Sequence, residues 1–449
     1  MKQNKQEIFE NVKPSKAVWT LVLPTIIGMF VMEFYNIVDT YFIAQTNDLI
    51  QIVAVSHAMP VFMILVGLGN LFGIGASSNI SRNLGSKNLD IIKNISATAF
   101  YLAIVTGIIF GGICLMEMKE LTLFLGVNEL NTEYVGGGYL TLIVIGAPFI
   151  ITASVLFHII RSEGNAKTAM FGMLFGAIVN IVCNPIFIFG LDMGALGAAL
   201  ATVVANVVAI LFYVTMILKN NDTAINLSFK NIMMKNKVFI NIVTIGMPAL
   251  VISLLASRST FLYNWHLNPY GDEAVAAMEI VMKISMLYTA IFMGIAIGVQ
   301  PLLGYCYGSK KEERFKESLF YTLKVSVIVG IVFLGYTYVA SGNTIAGAIY
   351  DPLIISYETQ MLKAQIITAP IVGIVYISMS TMQSTGGSLL AMILSLSRQG
   401  IAFIPTIFIL ANILGFKGII WAQPIADVLT LVLAVIGIQN LLKSFGSKV

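Results

Sequence analysis

Residues Val18 to Ala44 read V-W-T-L-V-L-P-T-I-I-G-M-F-V-M-E-F-Y-N-I-V-D-T-Y-F-I-A, a run long and apolar enough to cross a bilayer. Within it lie a proline, Pro24, and two carboxylates, Glu33 and Asp39. Lipid offers such acids no hydrogen-bond partner, so they belong against a protein interior or a water-filled cavity, where they mark function by default. The alternative is a structural carboxylate paired inside a helix bundle. Pro24 removes a backbone donor and predicts a bend where it sits. A bent spanning helix that carries buried acid points to transport.

The rest of the chain has the same character. Of 449 residues, 57% are hydrophobic and only 11% charged, against roughly a quarter charged in soluble domains. This composition predicts an all-α integral membrane protein. The net charge of +4 does not indicate a nucleic-acid partner, because the basic residues are scattered through short loops. Three cysteines (Cys114, Cys183, Cys306) and three histidines (His57, His158, His266) are too far apart to suggest a disulfide framework or a metal site. The first sixteen residues are polar and precede no small-residue cleavage site, so the first helix is expected to remain in the protein.

Twelve spans can be placed, at roughly 17–44, 50–80, 94–116, 134–160, 168–189, 195–218, 238–263, 273–304, 318–340, 357–382, 386–411 and 418–442. With the amino terminus inside, 19 of the 26 basic residues fall in cytoplasmic segments, among them Lys2, Lys5, Lys235, Lys310 and Lys448. Only Lys119 and Lys417 fall in external loops. This bias predicts a cell-membrane protein with both termini in the cytoplasm.

Residues 219–237 form the longest inside connection and separate a lobe at 1–218 from a second at 238–449. The two look like repeats. Pro24 is answered by Pro248. Leu84-Gly85-Ser86-Lys87 is answered by Tyr307-Gly308-Ser309-Lys310, 223 residues later. Gly146-Ala147-Pro148 is answered by Thr368-Ala369-Pro370, 222 residues on. Six spans return the chain to its starting side, so the halves are parallel repeats about an axis along the membrane normal, enclosing a central cavity suited to alternating access.

Glu33, Asn36 and Asp39 recur every three residues, and Tyr35 lies one turn before Asp39. Asn36 and Tyr35 therefore flank the Asp39 carboxylate, while Glu33, six residues back, is expected on a different wall. A lone carboxylate in a desolvated site can exchange a proton or hold a cation, and either coupling would link an ion gradient to conformation. Asn180 and Asn184 are i, i+4 and share a face. Thr202 lies on a helix rich in small residues, Gly194, Gly197 and Ala198 among them. Amide and hydroxyl oxygens beside a carboxylate suit a hard cation; equally, they could bridge helices by hydrogen bonds. In the second half the charges read as structural pairs: Glu279 with Lys283 and Arg258 near the outer level, and Arg398 with Asp427. The Gly-x-x-x-Gly pairs Gly107/Gly111, Gly172/Gly176 and Gly294/Gly298 are packing devices. Neither Gly67-x-Gly69 nor Gly136-Gly-Gly138 is a phosphate cradle, so no nucleotide partner or other cofactor is expected, and transport is ion-driven or facilitative. No nucleophile–base or metal-ligand constellation marks an enzyme.

Several stretches together resemble the multidrug and toxic compound extrusion (MATE) family over nearly the whole chain. They are Tyr35-Asn-Ile-Val-Asp-Thr-Tyr-Phe-Ile43, Gly73-Ile-Gly-Ala-Ser-Ser-Asn-Ile-Ser-Arg-Asn-Leu-Gly85, Arg161-Ser-Glu-Gly-Asn-Ala166, Asn180-Ile-Val-Cys-Asn-Pro-Ile-Phe-Ile-Phe-Gly190 with Gly197-Ala-Ala-Leu-Ala-Thr202, Gln300-Pro-Leu-Leu-Gly-Tyr-Cys-Tyr-Gly308, and Ser395-Leu-Ser-Arg-Gln399 with Ile404-Pro405. The resemblance implies two six-helix lobes in a V with pseudo-two-fold symmetry. It also implies export of bulky, often cationic organic compounds in exchange for H⁺ or Na⁺. The family's essential first-span carboxylate falls on Asp39, and its cation site on Asp39, Asn180, Asn184 and Thr202.

Two departures stand out. Where the family usually has Leu-Asp-Pro, this chain has Cys183-Asn184-Pro185, which leaves Asp39 as the main titratable group. Span ten carries Glu358 and Lys363 only near its outer end, so the chain is closer to the branch that works through the first lobe. The expectation is then a monomeric antiporter for small organic molecules, coupled through Asp39, with Glu33, Tyr35, Asn36, Tyr139 and Met173 on the pocket wall. A flippase for a lipid-linked precursor is the alternative on the same architecture; it should want a basic cavity.

Overall fold

The computed structural model describes residues 5–46, 48–125, 136–220, 222–232, 237–340 and 351–446, with the side chains of 5, 6, 49, 53, 136, 137, 256–258, 260, 340 and 446 left aside. Of the residues singled out above, Lys2, Lys235, Lys448 and the side chains of Lys5 and Arg258 lie outside the described set.

Helices form because long apolar runs in lipid must satisfy every backbone group internally. A short helix, Lys5–Glu10, precedes the spans α1 (Pro14–Ala44), α2 (Leu49–Gly85), α3 (Leu89–Met116), α5 (Ala166–Pro185) and α6 (Gly194–Lys219). Their counterparts are α7 (Val238–Leu267), α8 (Asp272–Gly308), α9 (Glu312–Ala340), α11 (Ser388–Leu414) and α12 (Phe416–Gly446). Between them lie α4a (Gly138–Ile145) with α4b (Ala147–Ser162), and α10a (Pro352–Ile366) with α10b (Ala369–Thr385). Ten helices are long and apolar enough to cross a membrane, or twelve with each bent pair taken as one span. Starts are marked as expected: Pro14 and Pro352 open α1 and α10a, where a missing N–H costs nothing, and Asp351 caps the latter by accepting from Leu353 N at 2.8 Å.

Spans four and ten differ from the sequence expectation, which drew each as one helix. They bend by 50° and 49° at corresponding places. Pro148 and Pro370 each sit just past the break, where a proline withholds the donor that would continue the preceding turn. Each proline backbone packs against a glycine of the neighbouring helix, Gly107 of α3 and Gly330 of α9, where a Cβ would collide. The proline-bearing bends expected at Pro24 and Pro248 are gentler: both residues lie inside unbroken helices. Next to Pro24, the Thr25 hydroxyl donates to Leu21 O at 2.8 Å, a back-bond of the kind that favours a bend in a helix.

The halves pack reciprocally about a pseudo-two-fold axis. Gly85 meets the Tyr305 carbonyl, and Gly308, its equivalent, meets the carbonyl of Arg82, the equivalent of Tyr305. Lys87 and Lys310 share a left-handed turn, with φ of 61° and 56°. Small residues allow close crossings between halves: Gly75 and Gly246 join α2 to α7, and Gly294 and Gly298 join α8 to α1 at Ile26 and Val22. Residues near both ends of the described chain pack beside the turns at Gly85 and Gly308. Phe9 stacks on Tyr305 at 4.9 Å, the Tyr305 hydroxyl donates to Glu10 Oε1 at 2.6 Å, and Phe445 lies 4.9 Å from Tyr307.

Candidate functional site

Asp39 lies near the far end of α1, where that helix runs alongside α5. Asn180 and Asn184 share one face of α5, which ends at Pro185 and passes into a π-type turn, Ile186–Gly190. The turn lets Gly197 of α6 press against the Phe187 backbone, and this close approach delivers Thr202 to the same level. The four side chains form one chain of hydrogen bonds. The Asn184 amide donates from Nδ2 to Asp39 Oδ1 and, at 3.2 Å, to Asn180 Oδ1. Asn180 Nδ2 donates to Thr202 Oγ1 at 3.4 Å. Asn180, Asn184 and Thr202 are buried and Asp39 is half-buried.

Asp39 has no cationic partner among the described residues; the polar side chains that meet it are those of Asn184, Asn180 and Thr202. Asn184 Oδ1 is buried without a partner among the described residues. A carboxylate met only by neutral amide and hydroxyl groups can take up a proton or a small hard cation. No group of three His, Cys, Asp or Glu residues suited to a resident metal occurs among the described residues.

A cavity of about 190 Å³ opens beside the cluster. Glu33, Tyr35, Met173, Asn180 and Thr202 line it. Glu33 and Tyr35 share this wall, whereas Asp39 and Asn184 are not among the lining residues. Asn36 and Tyr139 are absent from the lining; Tyr139 instead packs against Ile43, Ile188 and Ala198. Other lining residues were not foreseen: Phe62 and Asn70 of α2, Ser154 and His158 of α4b, Asn206 of α6, and Ala290, Met293 and Ile297 of α8. The α8 group comes from the opposite half and is apolar, so no sequence pattern distinguishes it from core.

The charges of the second half gather elsewhere. Arg398 Nε donates to Asp427 Oδ1 at 2.9 Å, Gln423 Nε2 donates to the same atom at 3.0 Å, and Thr368 donates to Oδ2 at 3.0 Å. Arg398 Nη1 also donates to the Tyr376 hydroxyl at 2.8 Å. Among the described residues no ion pair joins Glu279 to Lys283: both side chains are exposed, where such a pair gains little.

A model of the MatE family matches the chain twice, over residues 24–186 and 248–409, one copy in each half. The multidrug export protein MepA of Staphylococcus saprophyticus is 30% identical over 427 residues, 95% of this chain and 94% of that protein. The MepA of Staphylococcus aureus strain MRSA252 is 32% identical over the same shares. Among solved structures, a MATE protein in the straight conformation superposes with a TM-score of 0.93 at 22% identity, with all of both chains covered. The outward-facing conformation of a multidrug resistance MATE family transporter gives 0.92 at 23% identity, with 99% of each chain covered. At that identity the structures speak for the fold, and the doubled sequence match carries the rest: this multi-pass membrane protein belongs to the MATE family.

Proposed function

We propose that this chain is a secondary antiporter, not an enzyme, that exports organic compounds, drugs among them, in exchange for H⁺ or Na⁺ at Asp39. The observation that carries this is a carboxylate with no cationic partner among the described residues, Asp39, joined through Asn184 to Asn180 and Thr202, which line a mainly apolar cavity. A cation arriving from outside would neutralise Asp39 and remove the charge that strengthens the Asn184 hydrogen bond. That change alters how α1 holds to α5, and so the width of the cavity between them. Substrate and ion then compete through one helix, the physical requirement of exchange.

The single carboxylate favours the proton over Na⁺, because an amide N–H rather than a second acid faces Asp39. The cavity's methionines and Glu33 suit bulky cationic molecules, in line with the multidrug export proteins among the relatives. Among the described residues no Lys or Arg lines the cavity, which weighs against a lipid-phosphate flippase. In this account lobes 1–218 and 238–449, joined by 219–237, move as the alternating bodies of a monomer in the cell membrane, with both termini cytoplasmic.

Ethidium efflux from cells or inside-out vesicles, with pH and Na⁺ gradients imposed separately, tests the proposal. Efflux that follows one gradient is expected. No efflux under either, together with movement of a lipid-linked precursor, would favour the flippase instead.

A further inference from the structure

Beneath the cavity lies a charge that the coupling site does not use. Arg161, at the end of α4b, is fully buried, and among the described residues no carboxylate pairs with it. Its Nη1 donates to the Ile297 carbonyl of α8, and its Nη2 donates to His158 Nδ1 at 3.0 Å. That bond fixes the histidine tautomer: with Nδ1 accepting, the ring proton sits on Nε2. His158 Nε2 then donates to Asn70 Oδ1 at 3.1 Å, and the Ser154 hydroxyl lies 3.4 Å from the same oxygen. With Oδ1 doubly occupied, the Asn70 amide has its two N–H groups left. They have no acceptor among the described residues, and Asn70 lines the cavity.

The result is a hydrogen-bond relay of one direction, from guanidinium through imidazole to amide, that ends at the cavity. Each bond polarises the next, and the low local dielectric strengthens the effect. Two further donors of the cluster, Arg161 Nε and Gln300 Nε2, are buried without acceptors among the described residues. A proton or metal cation finds nothing to bind here; an oxygen acceptor does. The opposite half lacks the arrangement, since the equivalents of Asn70, His158 and Arg161 are Met293, Ser380 and Gln383.

The other pole of the same cavity is acidic. Gly294 meets Ile26 and Gly298 meets Val22, which sets Ile297 level with about residue 23 of α1. Glu33 is ten residues further along, about 15 Å at 1.5 Å per residue. Among the described residues Glu33 makes no ion pair.

We propose that Asn70, backed by His158 and Arg161, is an anion-recognising pole that takes the carboxylate of a zwitterionic organic substrate whose cationic end lies toward Glu33. The proposal rests on the export reading and adds a substrate class to it.

Purified full-length protein would be titrated with two fluorescent dyes, rhodamine B, which carries a carboxylate beside its cationic ring system, and its ethyl ester, which is a cation alone. Ethidium serves as a third ligand. In the wild type the acid is expected to bind at least as tightly as the ester. Asn70→Asp keeps the shape and reverses the demand at the cavity, and should lower the acid-to-ester affinity ratio at least tenfold. Asn70→Leu, which removes the donors without adding charge, should lower the same ratio. A ratio within twofold of wild type in both variants, with the ester bound, would overturn the anionic pole and leave the export reading standing. Failure of wild-type protein to bind either dye or ethidium would overturn both.

Discussion

Asp39 and Asp427 are both carboxylates set inside a helix bundle, one in each half, and they are held in opposite ways. Asp427 is 1% exposed and receives a guanidinium, an amide and a hydroxyl, so its lone pairs are engaged on both oxygens. Asp39 is met by neutral groups only, the side chains of Asn184, Asn180 and Thr202, and the neighbouring Asn184 oxygen has no partner among the described residues. A saturated carboxylate fixes helices in place, because losing any partner strands a buried charge. One that lacks a cationic partner has room for an ion. This difference in partners separates scaffold from switch.

The largest effect should fall on the saturated site. Asp427→Ala strands Arg398 and is expected to cost about 3–5 kcal/mol of stability, read as a loss of folded protein in detergent unfolding. If the site is scaffold alone, Arg398→Met with Asp427→Leu should return to within about 2 kcal/mol of wild type; a well-folded double variant that no longer transports would break the division. At the other site, Asn184→Asp places a second carboxylate beside Asp39. Two acids hold a cation more firmly than one, so Na⁺-driven ethidium transport should reach half-saturation at least tenfold lower in Na⁺, about 1.4 kcal/mol. An unmoved Na⁺ response would argue that the cluster only bridges helices. The smallest effect concerns stability at Asp39 itself: Asp39→Asn should change unfolding by less than about 1 kcal/mol, since Asn184 keeps an acceptor. A loss as large as that of Asp427→Ala would make Asp39 scaffold too.

What the sequence made legible follows from what is local. Apolar length and the positions of Lys and Arg yield the spans, and matches at Gly85/Gly308 and Pro148/Pro370 yield the duplication. The same Gly-Ala-Pro and Thr-Ala-Pro matches were legible as repeat marks but not as breaks, because a proline bends or breaks a helix according to what receives it. Pro148 and Pro370 find Gly107 and Gly330; Pro24 and Pro248 continue inside whole helices. The i, i+4 spacing of Asn180 and Asn184 anticipates their shared face. It could not show how Thr202 reaches the cluster, which depends on the π-type turn before α6; the resemblance places Thr202 there without that geometry. Asn70, His158, Arg161 and Ile297 were out of reach for the same reason: their contacts join helices up to 136 positions apart. The Glu279–Lys283 spacing was right for a pair, but exposed side chains gain too little from pairing to be held together.

The central claim is that Asp39 couples an ion to export rather than simply shaping the cavity. Proteoliposomes bearing wild type or Asp39→Asn would be loaded with ethidium, and two processes followed: exchange of labelled for unlabelled dye at equilibrium, and accumulation against a dye gradient under an imposed pH or Na⁺ gradient. The variant is expected to exchange dye yet accumulate none, whereas wild type does both. Uphill accumulation by Asp39→Asn at the wild-type rate would contradict the account and place the coupling carboxylate elsewhere in the chain.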